Sequence, residues 1–576
     1  MKRIFVRFAG KLPLEFRVLY RQFLLRVVDL EALSMQADVP QLLGQFAGLL
    51  ILISVFQTIG FLYAAGRPNM SPAALASLAI HIEQALLAGT MLVAGLVAVV
   101  SWDATFPDRR DVMVLGPLPV GTRMILLAKM AANGALVGVG VVSLNFGTGL
   151  ALPLVMGGGA RFVWYFAAWW LTLIAAAVLV YGSVLTVQGL AALLLPRGIF
   201  LRLSAGLQLA AFGIFLSAWL FQPTLDVPWA MSAPQNQSML REWPMFWLLG
   251  MFEQLTGHLP DTLNWLAMRA WIGFGVVLLG ACASLLLCYL RTMKKTVEEP
   301  DLVPGGWSWL GALRFGNRLT MALVLFCGRS LARSRQHRVI YAFFLSIAFA
   351  VAVSIVRGAL AGGTHVPITM DFLMLTDIML CLAVVGLRSI FSLPVSLKAN
   401  WVLQVTQLAP SEQYVAATRR ALVVLAALPI WLVVAGLSDF YRPLWQVAGH
   451  LLVLALVASI LMDVSLLKVA KIPFACSYLP GKSNIQYMFW AFVVIYVPIA
   501  MEFSNYELRA LAHPESFAVM IGALSGIAVG LWAFNQHEAR SAVLYFEETE
   551  PEVIMQLGLS GMVIPPHDGT AGSSAV

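Results

Sequence analysis

The chain has 576 residues, 60% of them hydrophobic and 11% charged, with a mean hydropathy of +0.83. Soluble domains carry roughly a quarter charged residues, so the composition excludes one, and the apolar runs lack the alternation of outer-membrane strands. The formal net charge of +8 is spread over alternate loops, as membrane topology demands, which argues against a nucleic-acid partner.

The basic start MKRIFVRFAGKLPLEFRVLYRQFLLR is followed by no short apolar region with a cleavage site, so the first apolar span is expected to stay in the protein. LEFRVLYRQFLLRVVDLEAL is amphipathic and too polar to span; it predicts an interfacial helix whose basic stems snorkel. Apolar runs of roughly 20 residues then predict spans near 43 to 64, 78 to 100, 124 to 153, 163 to 192, 204 to 221 and 267 to 290. The largest connection among them, from about Gln222 to Leu266, contains REWPMFWLLGMFEQLTG. There Trp243, Phe246, Trp247 and Phe252 at helical spacing read as an interface anchor or as a lid.

A basic stretch, RLTMALVLFCGRSLARSRQHR, predicts a second interfacial helix, and six more spans follow near 339 to 357, 371 to 389, 420 to 437, 446 to 466, 486 to 503 and 516 to 534. Helices satisfy their own backbone in a bilayer, so the expected fold is an all-α polytopic membrane protein with about twelve spans in two parallel halves. The expected divisions are 1–296 and 317–536 for two six-span units, 297–316 for a linker and 537–576 for an acidic, then flexible, tail. Positive charge in the short loops places both termini on the cytoplasmic side of the cell's inner membrane.

The stretch SWDATFPDRRDVMVLGPLPVGTRMILLAKM, Ser101 to Met130, joins the second and third spans and concentrates charge in a chain that has little. Asp108, Arg109 and Arg110 precede the more apolar Gly116, Pro117, Leu118 and Pro119, and Thr122 is placed to cap the next helix. A shift of about 291 residues lays this stretch over IFSLPVSLKANWVLQVTQLAPSEQYVAATRRA, matching Ser101 to Ser392, Val114 to Val405, Pro119 to Pro410 and Lys129 to Arg420. The second copy offers Trp401, Leu403, Lys398 and Arg419, but no DRR-like run. Charge that gives register beside an apolar edge that gives contact area suits a cytoplasmic surface for a partner protein.

Ionisable residues inside spans are functional candidates by default. They are Glu83, near His81; Asp377, the deepest; and Asp463, with Lys468 a little over a turn away. The five cysteines lack CxxC spacing, so neither a disulfide frame nor a metal site is expected. No HExxH, G-x-S-x-G or GxGxxG pattern marks an enzyme, and LPGKSN lacks the first glycine of a phosphate-binding loop, Cys476 standing in its place.

The loop resembles the cytoplasmic loop of type-2 ABC exporter permeases, most clearly from Phe106 to Lys129 and more weakly from Leu393 to Arg420. An amphipathic helix ahead of a six-span unit is also similar to that class. The resemblance implies a fused permease of two units that carries no chemistry or cofactor of its own and recruits separate ATP-binding cassette ATPase subunits, which bind the ATP. It carries over to Asp108, Arg109, Arg110, Gly116, Pro117, Leu118 and Pro119 as partner-binding residues, with Trp401 and Pro410 in the second loop. The alternatives are an ion-coupled secondary transporter with two six-helix halves and a membrane-embedded lipid-modifying enzyme.

Overall fold

The computed structural model describes residues 13–28, 39–67, 71–105, 113–115, 117–225, 227–298, 317–362, 366–395, 400–405, 410–467, 471–475 and 495–544. Among them the chain is all-α apart from a two-residue parallel bridge, Val366–Pro367 against Tyr441–Arg442. Ten helices are long and apolar enough to cross a membrane, the architecture of a multi-pass membrane protein.

The first part of the chain runs α1 (Leu14–Val28), α2 (Val39–Ala65), α3 (Pro72–Val100), α4 (Thr122–Leu144), α5 (Thr148–Leu194), α6 (Arg197–Leu220), α7 (Pro244–Thr256) and α8 (Asn264–Glu298). The second part runs α9 (Arg318–Arg333), α10 (Arg335–Gly362), α11 (Met370–Phe391), α12 (Ser411–Leu422), α13 (Leu428–Leu437), α14 (Leu444–Ser465), α15 (Val497–Ala510) and α16 (Pro514–Ser541). Both expected interfacial segments are helical. α1 lays Leu19 and Phe23 against Ile125, Ala128 and Ala132 of α4, and α9 packs in the same way on α12.

Three expected spans differ from the helices found. The run from 124 to 153 is broken at 145–147, because Asn145 turns back to cap α4: its Nδ2 donates to the Val141 carbonyl at 3.0 Å and to Thr90 Oγ1 at 2.9 Å. The next helix then starts at Thr148 and bends at Gly158, whose φ of 57° is the left-handed region that favours glycine. In the expected fifth span only Gly206–Leu220 is strongly apolar, and residues 486–494 of the expected eleventh lie outside the described residues. Thr122 does not cap α4; Gly121 occupies that position without a side-chain bond, and Thr122 opens the helix.

Lipid is as apolar as leucine, so close fit holds such helices together. α5 and α8 show it: a Cβ added at Gly189 would meet Ser284 Cβ at 2.4 Å. The span from Ser411 to Phe440 contains Pro429, which cannot donate to the carbonyl four residues earlier. A π turn over Val423–Ala427 absorbs the mismatch, and Tyr341 Oη donates to the freed Leu425 carbonyl at 3.1 Å. α10 packs on α6, joining the two parts of the chain.

Candidate functional site

The loop after α3 lies next to the amphipathic helix α1, and the loop after α11 next to the start of α10, directly after α9. Ser101 closes α3, and a single helical turn, Trp102–Thr105, follows. Asp108, Arg109, Arg110 and Gly116 lie outside the described residues. Beyond them the backbone folds tightly, Leu118 N donating to the Leu115 carbonyl at 3.2 Å and Val120 N to the Leu118 carbonyl at 2.7 Å. Pro117 and Pro119, each with φ set by its ring, stand exposed in this turn. Leu115 and Val120 face inward onto the α1–α4 cluster, whereas Met113, Val114 (65% exposed) and Leu118 face outward.

The second loop is built differently. Leu393 is buried, and its carbonyl accepts from His337 Nε2 at 2.9 Å; His337 Nδ1 then accepts from the Ser334 hydroxyl, which fixes a neutral ring. Burial holds the pKa of His337 below the ordinary histidine value, with the Leu393 bond acting the other way. Val395 N donates to the Phe474 carbonyl and Phe474 N to the Phe391 carbonyl, both at 3.0 Å, which holds Phe474 at a φ of 62°. Trp401 sits in a short helix, Asn400–Val405, where Asn400 Nδ2 donates to the Ala475 carbonyl at 2.7 Å, and Val402 and Val405 (73% exposed) face outward. Pro410 is exposed and directly precedes α12.

Each third-span helix sends a cation back to its amphipathic helix. Lys129 Nζ lies 5.2 Å from the Phe23 ring centre, and Arg420 Nη1 reaches Thr320 Oγ1 at 3.5 Å. Those are the two residues that the 291-residue shift superposes.

The three intramembrane carboxylates separate into two kinds. Asp463 is fully buried and held bidentately by Arg419, at 2.8 and 3.0 Å, while its backbone carbonyl accepts from Asn535 at 2.8 Å. Its partner is Arg419, on the facing helix, and Lys468 lies outside the described residues. This pair ties α12, α14 and α16 together and is structural.

Among the described residues neither Glu83 nor Asp377 has such a cation. Asp377 is 1% exposed and neither of its oxygens accepts a hydrogen bond; Glu83 is 3% exposed with Oε2 unpartnered. Glu507 of α15 lies within electrostatic reach of Asp377, and Glu253 of α7 within reach of Glu83. His450 Nδ1 meets Glu507 Oε1 at 2.9 Å with both side chains fully buried, and His450 Nε2 meets Thr376 Oγ1 at 2.9 Å. In the first part of the chain Tyr165 Oη bonds the exposed His258 at 3.1 Å. Sequence reasoning passed over His450, Glu253 and Glu507, although one signal was available. EQLTGHLP, Glu253 to Pro260, and ELRALAHP, Glu507 to Pro514, both place a glutamate seven residues before a proline that leads into the last helix of its part.

The aromatic helix α7 is not a surface anchor. Phe246, Leu248, Leu249, Met251 and Phe252 are buried among α3, α5 and α8, with Trp169 edge-on to Phe252 at 4.9 Å, and only Trp243 and Trp247 stay half-exposed. Among the described residues no group of three or more His, Cys, Asp or Glu side chains could hold a metal ion, and the segment 476–494, which includes LPGKSN, lies outside them. Comparison with family models, curated proteins and solved structures finds no match for this chain.

Proposed function

We propose that the chain is the membrane-spanning permease of an ATP-driven exporter of the type-2 ABC class, with the loops after α3 and α11 as the surfaces that receive ATPase subunits on the cytoplasmic side of an inner membrane. The supporting observation is that both loops present apolar side chains outward (Met113, Val114 and Leu118; Val395, Val402 and Val405) while being backed by a packed amphipathic helix. Push from a partner would pass through such a contact without being lost in a slack connection. Asp108, Arg109 and Arg110 set register, Pro117, Pro119 and Pro410 stiffen the turns, and Trp401 and Gly116 complete the contact. The chain itself then needs no catalytic group and no cofactor.

Purification of the tagged chain from its own membranes tests this. A co-purifying ATPase activity is expected, and Asp108→Ala, Arg109→Ala and Arg110→Ala together are expected to reduce it at equal membrane abundance; loss of a buried charge contact costs about 2–5 kcal/mol. Absence of any hydrolysis, or hydrolysis unchanged by the triple substitution, overturns the assignment of this loop. A second reading, an ion-coupled transporter, is favoured by one observation, the buried Asp377 carboxyl, neither of whose oxygens accepts a hydrogen bond.

A further inference from the structure

The bonding around His450 counts its own protons. Thr376 Oγ1 lies 2.9 Å from the Phe372 carbonyl and 2.7 Å from the Leu373 carbonyl, so its hydrogen is committed to the helix backbone. The hydroxyl must therefore accept from His450, which puts a hydrogen on Nε2. The 2.9 Å contact from Nδ1 to Glu507 Oε1 then needs a proton of its own, because a bare ring nitrogen facing a bare carboxylate would be repulsive. Whether that proton is drawn on the ring or on the carboxyl, the buried pair contains one. Asp377 stands beside it with two unpartnered oxygens, and an isolated ionised carboxylate in an apolar interior neutralises by taking up a proton.

Among the described residues the other groups near Asp377 do not supply a cation. From its own helix and α15 it faces Thr376, Cys381 and Tyr496. On the remaining packed elements Asp463 is tied to Arg419, Arg357 donates to the Phe221 carbonyl, and Asp371, Glu502 and Arg509 are exposed.

The same arrangement recurs in the first part of the chain. α7 packs on α3 and brings Glu253 to Glu83, just as α15 packs on α11 and brings Glu507 to Asp377. Around this pair stand Tyr165 and Arg161 from α5, and His258, which is bonded to Tyr165 and Thr256. The charged groups of the neighbouring α8 are occupied elsewhere: Asp261 bonds Asn264, and Arg269 donates to the Arg241 carbonyl and lies over Trp265. Burial pushes the Glu253 carboxyl up to about 7. Like-charged groups brought together away from water are poor building material and good proton holders.

We propose that the chain carries two matched intramembrane proton sites, one at Glu83 and Glu253 and one at Asp377, Glu507 and His450, each pair of carboxyls retaining a proton. A larger cation is a poorer occupant, since Asp377, Glu507 and His450 are already closed from solvent. The inference stands beside the permease reading and does not depend on an ATPase.

Infrared spectroscopy of the purified chain in lipid, titrated from pH 5 to pH 9, tests it. A carbonyl band of protonated carboxylic acid is expected to persist at pH 6, about two units above the ordinary carboxylate range. Asp377→Asn with Glu507→Gln should remove one part of that band, and Glu83→Gln with Glu253→Gln another. Absence of the band at pH 6, or a band that neither double variant reduces, overturns the proposal. The amide bands of the same spectra report folding, and a variant that loses helix is replaced by Asp377→Glu or Glu83→Asp, which should keep the band and move its frequency. Because no ATPase is present, a negative result leaves the permease assignment untouched, and the failure of that assignment leaves this one.

Discussion

The two loop ends are fastened by different chemistry. After α3 the bonds are neutral: Gln188 Nε2 donates to the Trp102 carbonyl at 2.7 Å, Gln208 Nε2 to the Val99 carbonyl at 2.9 Å, and Trp102 Nε1 to Ser204 Oγ at 2.8 Å. After α11 the corresponding work is done by charge and by a histidine. Arg419 grips Asp463, Arg388 Nε donates to the Ser465 carbonyl at 2.9 Å, and His337 holds Leu393. In both cases the targets include carbonyls at helix C-termini, which have no partner within the helix. Amides satisfy them at any pH, whereas an ion pair and a neutral imidazole tie the second loop to solution conditions.

The largest expected effect is at Arg419. Arg419→Ala leaves Asp463 as an uncompensated buried charge and should destabilise the protein by about 3–5 kcal/mol, and adding Asp463→Asn should restore part of it. Thermal unfolding in detergent measures both, and equal stability of wild type and the single variant would erase the contrast between the two ends. Gln188→Ala and Gln208→Ala strand buried carbonyls and should each cost about 1–3 kcal/mol in the same assay, with no dependence on salt.

The smallest effect is the most diagnostic. His337 has a depressed folded pKa, so the unfolded chain binds more protons below the ordinary histidine value, and the stability held by the neutral ring is lost as pH falls below about 6.5. Protection of the Ser392, Leu393 and Val395 amides from hydrogen exchange, taken relative to the intrinsic rate at each pH, should fall between pH 7.5 and pH 5.5 while protection at 102–105 does not. His337→Gln should level the difference; persistence of the pH effect in that variant would assign it to another group.

Part of this was legible along the chain. The two amphipathic helices and the exposed prolines follow from local patterns of charge and apolar spacing, and α1 packs on α4 as α9 does on α12. Asp377 was singled out because a carboxylate in an apolar run is conspicuous by itself. Glu253 was not, since EQLTG reads as ordinary helix surface until α7 is seen packed between α3 and α8. The Arg419 partner of Asp463 was hidden for a similar reason: it lies 44 residues away along the chain and is near only in space.

The sequence by itself determined that this is an all-α, multi-pass membrane chain, because a bilayer offers no hydrogen bonds and long apolar runs must satisfy their own backbone as helices. Only the tertiary structure decided which buried charges are neutralised and which are not. Burial, pairing and proton demand depend on what the neighbouring helix brings within a few ångströms, and that neighbour is set by packing between segments far apart in the chain. Asp463 met a guanidinium, Asp377 met another carboxylate, and nothing in the local sequence of either distinguishes the two outcomes.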